Sequence, residues 1–234
     1  MGKRIIRALD RLLNVIIIAI CAIFLFVSVY SLVDNYWLYK NANDTSLLAY
    51  KPAQDVTPSE VEFISEKQAA WLQIYDTPID YPVMQGADNY EYLNQDPYGE
   101  FKLSGAIFLD YRNDRDLGDA YSVVYGHHME YGNMFGSLDA FIDRDYFEAH
   151  RRGRLVTRDV SYDLELFAVA SGEGTDPRVF DPNGRTAEDI AGFLDENAMF
   201  DLGYTPGERI VALTTCWGET ESSRLLVFGV IRPQ

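Results

Sequence analysis

Cys216 ends the apolar run Arg209 to Cys216, and Arg224 opens the next, Arg224 to Ile231. Two β-branched, apolar runs around a short polar loop describe a pair of buried strands joined at one end. The thiol and the guanidinium then share one rim of a sheet, on rigid supports. Cysteine is a strong nucleophile as the thiolate, and a nearby cation favours that form. The other reading of a free cysteine is a small buried hydrophobe. A further run, Tyr121 to Tyr125, stops at Gly126 and carries His127 and His128 at its tip. Neighbouring side chains of an extended chain point to opposite sides, so only one of the two histidines can serve a site on that strand. Cysteine with histidine is the minimal nucleophile-and-base pair, and arginine supplies positive charge for an oxyanion. The third histidine, His150, lies beside Arg151 and Arg152 in a polar, helix-like stretch and reads as a surface residue.

The elements that must hold these residues are mostly strands. Trp71 to Ile74 alternates, Thr77-Pro78 turns, and Ile79 to Met84 is extended. Gly105 to Leu109 is another apolar strand, and Gly153 to Thr157 with Tyr162 to Ser171 predicts a hairpin. Helices are expected in three places. Thr57-Pro58-Ser59-Glu60 has the form of a capping box and starts a helix running to about Ala70. Met134 to Ile142 is short and helical. Thr186 caps a helix reaching about Met199, in which Ile190, Phe193 and Leu194 share one face and belong to the core. Seven or eight short strands with interspersed helices predict a mainly β fold, a closed or half-closed barrel. The acid-rich loop Asp110 to Asp119 has Arg112 and Arg115 interleaved and no closing glutamate, which favours a solvated loop over a calcium site.

Lys and Arg number 20 against 36 Asp and Glu, a net charge of −16, which speaks against a nucleic-acid binder. The cysteines are Cys21 and Cys216; Cys21 lies in an apolar run, so no disulfide framework and no Cys-x-x-Cys metal site follows. Leu12 to Val33 holds no charged residue over 22 positions. About 20 residues cross a bilayer core as a helix. Lys3, Arg4, Arg7 and Arg11 precede this stretch with only Asp10 opposing, which predicts a cytoplasmic N-terminus and an extracellular remainder. A cleaved signal peptide is the alternative. Removing those four bases and one acid leaves 16 bases and 35 acids, a net of −19 beyond the membrane. The expected organisation is therefore a cytoplasmic segment 1–11, an anchor 12–33, a spacer 34–56 and a catalytic domain 57–234.

His127 precedes Cys216 by 89 positions and Arg224 follows it by eight. Papain-like chains place the cysteine first, and the L,D-transpeptidases place arginine two residues after it, where this chain has Gly218. The chain resembles the sortases, membrane-anchored cysteine transpeptidases of Gram-positive bacteria. Their Thr-Leu-x-Thr-Cys signature is matched by Ala212-Leu213-Thr214-Thr215-Cys216, their Gly-His by Gly126-His127, and their strand arginine by Arg224. The blocks Ile79 to Gly86, Ser104 to Asn113, and Tyr125 to Met129 through Met134-Phe135-Gly136 resemble class B. So do an N-terminal helix and a helix inserted between late strands. Ala212 departs from the signature's first threonine, which implies tuning rather than loss of activity.

The resemblance implies catalytic roles for His127, Cys216 and Arg224, with His128 a bystander. It implies that Thr214 and Thr215 line the substrate site. Glu219 or Glu221 would orient Arg224, a solvated loop being the alternative. The implied partners are secreted proteins bearing a C-terminal sorting motif, cut after a threonine through a Cys216 thioester. The acceptor is an amine of a cell-wall precursor or of a pilin, and no cofactor is called for. A hydrolytic cysteine protease and a non-catalytic, membrane-anchored binding domain are the competing readings.

Overall fold

The computed structural model describes residues 2–42, 45–53, 57–218 and 222–234. The chain divides into two units, one ending at Asn41 and one beginning at Ala42.

The first unit holds all but the last residue of a single helix, α1, Gly2–Ala42, of 41 residues. Within it Ile6–Trp37 is apolar and fully unburied, with side chains such as Phe24, Leu25 and Phe26 about two-thirds or more exposed. At 1.5 Å per residue the helix is about 60 Å long, more than a bilayer core of about 30 Å requires. Length and composition suit a membrane span, or a signal sequence.

The second unit is built on nine strands: β1 Gln68–Ile74, β2 Asp80–Met84, β3 Ile107–Leu109, β4 Tyr121–Tyr125, β5 Arg152–Thr157, β6 Ser161–Glu173, β7 Ala198–Asp201, β8 Arg209–Cys216 and β9 Ser223–Pro233. They pair in the order β5-β1-β2-β3-β4-β8-β9-β6, and β6 returns to β5, so eight strands close a barrel. β7 adds to the outside of β6. Two pairs are parallel, β2 with β3 and β4 with β8. Closure removes free sheet edges and lets β-branched runs be buried on both faces.

One barrel face carries Tyr121 and Val123 of β4, Ile210 and Ala212 of β8, and Leu226 and Phe228 of β9. Two helices cover it, α3 Pro177–Phe180 and α4 Ala187–Asn197. Ile190, Phe193 and Leu194 of α4 are buried there, with Phe193 6.1 Å from Phe228 between ring centroids. Thr186 caps α4 as expected, and Asp189 completes a reciprocal capping box. The helix stops at Asn197, and Ala198 to Asp201 pairs with β6 instead of continuing the turn.

The helix expected from Thr57 to Ala70 is one 3-10 turn, Pro58–Glu60, after which Val61 is extended. The Thr57 hydroxyl bonds the Glu60 carboxylate rather than a backbone amide, so the cap is not made. Tertiary contacts take the following residues. The Ile64 amide donates to the buried Gln68 side chain, and Arg158 stacks on Phe63 and donates to the Ser65 carbonyl. The stretch at Met134 to Ile142 is a 3-10 helix, Phe135–Ile142, and a short helix α2, Arg144–Ala149, follows it.

Part of the expected spacer is docked. Thr45–Tyr50 forms a 3-10 helix, and Arg154, only 4% exposed on β5, donates to the Pro52 and Ala53 carbonyls at 2.6 and 2.9 Å. Lys51 pairs with Asp80.

Candidate active site

Strand register brings the candidate residues together. In the parallel β4–β8 pair Tyr125 lies opposite Thr214, so two residues further His127 is level with Cys216. In the antiparallel β8–β9 pair Cys216 lies opposite Arg224. Side-chain alternation then assigns a face. His127 follows Tyr121, Val123 and Tyr125 at intervals of two; Cys216 follows Ile210 and Ala212; Arg224 precedes Leu226 and Phe228. All three share the face covered by α3 and α4, at the strand ends beside Phe180 of α3. His127, Cys216 and Arg224 line one cleft of about 390 Å³, together with Tyr125, Thr214 and Thr215.

Each is held differently. The Gly126 amide donates to the Thr214 carbonyl at 3.1 Å. A Cβ on Gly126 would lie 2.5 Å from Ile107 Cδ1 and 2.7 Å from the Phe135 ring, so this step into His127 has no room for a side chain. His127 Nε2 is 2.8 Å from the Leu93 carbonyl. A carbonyl only accepts, so Nε2 carries the proton and donates it to Leu93. His127 in turn accepts at its own carbonyl from the Phe135 amide. The loop closed by that bond contains Tyr131 and Met134 at φ 60° and 51°, a conformation bulky residues rarely adopt. His128 points the other way and bonds Asp139 at 2.8 Å. His150 bonds the Tyr146 carbonyl and stacks on its ring, away from the cleft lining.

Cys216 is exposed at the strand end. Trp217 continues the hairpin through its amide to the Ser223 carbonyl, and Gly218 turns the chain at φ 81°. Arg224 Nη1 donates to the Ser223 carbonyl at 2.9 Å. Its guanidinium lies over Gly174, where a Cβ would come within 3.2 Å of Cζ and Nε. Thr214 and Thr215 are 1% and 2% exposed, and their hydroxyl oxygens have no hydrogen-bond partner among the described residues. Ala212 is fully buried under the helices, where a threonine would have to bury a hydroxyl. Glu219 and Glu221 lie outside the described residues.

The wall opposite Cys216 was not legible in the sequence. The loop at Asp110 is not a solvated one: Asp110 is wholly buried, and Asn113 and Leu117 are buried as well. The Asp110 carboxylate accepts both Nε and Nη2 of Arg112 at 2.8 Å, Asn89 at 2.8 Å and the Tyr125 hydroxyl at 3.0 Å. Burial pushes this carboxyl up, but the Arg112 bonds, joined by those from Asn89 and Tyr125, outweigh it and hold it below the ordinary range. Burial and the neighbouring Asp110 charge push the Tyr125 phenol well up, so it stays a donor. Arg112 continues to the Asp181 carboxylate and the Phe180 carbonyl, at 2.9 and 2.7 Å. Tyr125 is stacked between Phe108 and Phe180, at 5.2 and 6.4 Å. No local signal announces this wall, since its parts come from four separate stretches of chain.

The model of the sortase domain matches residues 72–232. Sortase B of Listeria monocytogenes is 30% identical over 177 residues, 73% of this chain and 72% of that protein. The structure of a Streptococcus pyogenes class B sortase involved in pilus biogenesis superposes with a TM-score of 0.67 and 32% identity, covering 72% of this chain and 94% of that one. The Staphylococcus aureus sortase B–substrate complex superposes with a TM-score of 0.65 and 28% identity, covering 73% and 82%.

Proposed function

Because the chain belongs to the sortase family, with class B sortases as its relatives, we propose that it cleaves a C-terminal sorting motif of secreted proteins after a threonine and passes the acyl group to an amine. The observation that supports this reading is the cleft that His127, beyond the end of β4, lines together with Cys216 and with Arg224, the residue across from Cys216 on β9. The Cys216 thiolate attacks the threonine carbonyl. Arg224 and backbone amides near Cys216 stabilise the oxyanion. His127, as imidazolium, gives its proton to the leaving amine, and a thioester on Cys216 remains. An amine of a cell-wall precursor or of a pilin lysine then attacks the thioester, with His127 taking the proton. The buried Thr214 and Thr215 hydroxyls are donors and acceptors for a bound peptide, which would relieve their unmet hydrogen bonding.

The chain 57–234 is the catalytic domain in this reading, 12–33 the anchor and 34–56 the spacer. The N-terminus is cytoplasmic and the catalytic domain extracellular. The bases Lys3, Arg4, Arg7 and Arg11 ahead of the apolar helix support that orientation. The related S. aureus enzyme was solved with a substrate and the S. pyogenes enzyme takes part in pilus biogenesis, which supports a sorting peptide as donor and leaves the two acceptor types to experiment.

The test is cleavage of a quenched peptide library of Asn-Pro-x-Thr and Ser-Pro-x-Thr types, with and without added amine. Cleavage after threonine with amine-dependent ligation product is expected. Cleavage giving only the free acid at saturating amine would make the protein a hydrolase. A Cys216 no more reactive toward a thiol reagent at neutral pH than in a denatured control, with no peptide cleaved, would leave a binding domain.

A further inference from the structure

We propose that Arg112 is a positioning residue for the donor peptide: it fastens the segment 174–186 to the barrel and so sets the cleft wall that Phe180 and Tyr125 present to the substrate. The inference rests on the proposed peptide cleavage at Cys216. Segment 174–186 enters the fold between β6 and α4; it is pinned at its start by the Gly174 amide on the Ser222 carbonyl at 2.7 Å, and further on it reaches the barrel at two adjacent carbonyls. Val179 is fully buried, and its carbonyl accepts the Tyr121 hydroxyl at 2.9 Å. That attachment belongs to the core. Phe180, one residue on, is only partly buried at the edge of the cleft. Its carbonyl is taken by Arg112 Nη2, while Arg112 Nη1 takes the Asp181 carboxylate.

The other side of the same guanidinium is fixed by the wholly buried Asp110, which also accepts the Tyr125 hydroxyl. One planar group therefore sets both aromatic rings of the wall: Tyr125 through their shared carboxylate, and Phe180 through its backbone. A planar fork engaging a carboxylate bidentately while reaching a second carboxylate and a carbonyl cannot be reproduced by a point-charge ammonium. Since Val179 stays anchored without Arg112, replacing Arg112 should loosen the wall and leave the barrel and the Cys216 rim in place. A contact of one methylene or so in a pocket changes discrimination at least about tenfold.

The experiment uses the full chain in detergent, the variants Arg112→Lys and Phe180→Ala, their double variant, and a quenched Asn-Pro-x-Thr peptide. Arg112→Lys is expected to raise KM about tenfold with kcat within about twofold, and the rate of thiol labelling at Cys216 is expected to be unchanged. In the Phe180→Ala background the same change should add little to KM, because residues acting through one another are not additive. Additive KM effects, or a fall in kcat at constant KM, would overturn the proposal. Amide hydrogen exchange supplies a readout that needs no substrate. Arg112→Lys should speed exchange in 174–186 and not in β8 or β9, and unchanged exchange in that segment would overturn the proposal as well. A wild type that cleaves no peptide refutes the function proposed above, and hydrogen exchange then decides on Arg112 by itself.

Discussion

His127 and His128 are neighbours with opposite surroundings. His127 lines the cleft and donates to the Leu93 carbonyl, whereas His128 bonds Asp139 on the other side of the loop. His127→Ala should abolish peptide cleavage and His128→Ala should leave most of it. A dead His128 variant with an active His127 variant would shift the register by one and require the site to be rebuilt. Arg224 separates charge from geometry. An oxyanion gains its charge along the reaction path, so a donor aimed at it affects turnover more than binding. Loss of one such donor lowers the rate about 10²–10³-fold. Arg224→Ala and Arg224→Lys should both fall in this range with KM little changed, since lysine lacks the planar fork. Near-normal turnover in Arg224→Ala, read in steady-state peptide cleavage, would remove it from the site. Asp110 gives the pH dependence. Its folded pKa is depressed, so the unfolded chain binds the proton more readily. The stabilisation is present above the ordinary carboxylate value of about 3.9 and is lost as pH falls through the lower folded value. Asp110→Asn should therefore melt below wild type at neutral pH, with the gap narrowing as the solution is acidified. A gap that stays constant from neutral to acid pH would show that the carboxylate's charge is not what it contributes.

At the scale of elements, strands were easier to read than their partners. β4, β8 and β9 announce themselves by apolar, β-branched runs, the first two stopping at Gly126 and Cys216 and the third opening at Arg224, and the cap of α4 was visible in Thr186. The parallel pairing of β4 with β8 was not, because hydrophobic pattern is silent on which distant strand will be the neighbour. The same pattern misled at Thr57. A threonine, a proline and a glutamate in the spacing of a capping box start a helix only if the hydroxyl meets a backbone amide, and here it meets the glutamate. Gln68, Arg158 and the start of β1 then hold the chain extended. The Asp110 loop failed for a related reason. Its charges look solvated in sequence, and only the fold supplies the partners that let Asp110 be buried. The Thr186 cap carries its own test: Thr186→Ala should cost about 1 kcal/mol in chemical denaturation. A loss within error would mean that Asp189 alone suffices.

At the scale of the molecule, the two units predict where the chain can be cut. Deleting residues 1–33 removes most of the exposed apolar helix and spares every residue of the second unit, so a soluble, active protein is expected. Starting at Thr57 is a different matter. Arg154 would lose the Pro52 and Ala53 carbonyls, and Lys51 would no longer pair with Asp80. Hydrogen bonds to a charged donor are worth about 1.5–3 kcal/mol each. The shorter protein should unfold at lower denaturant than the longer one. Equal midpoints would show that the docked spacer contributes nothing to the barrel.

β9 is the last strand of the chain and pairs with β6 on one side and β8 on the other. Synthesis runs from the apolar helix toward this strand, so a growing polypeptide has that helix first and the seam of the barrel last. Until Ser223–Pro233 has emerged, β6 and β8 each keep an open edge and Cys216 has no arginine across from it. Cys216 and Arg224 come to face one another only when this strand seats between β6 and β8.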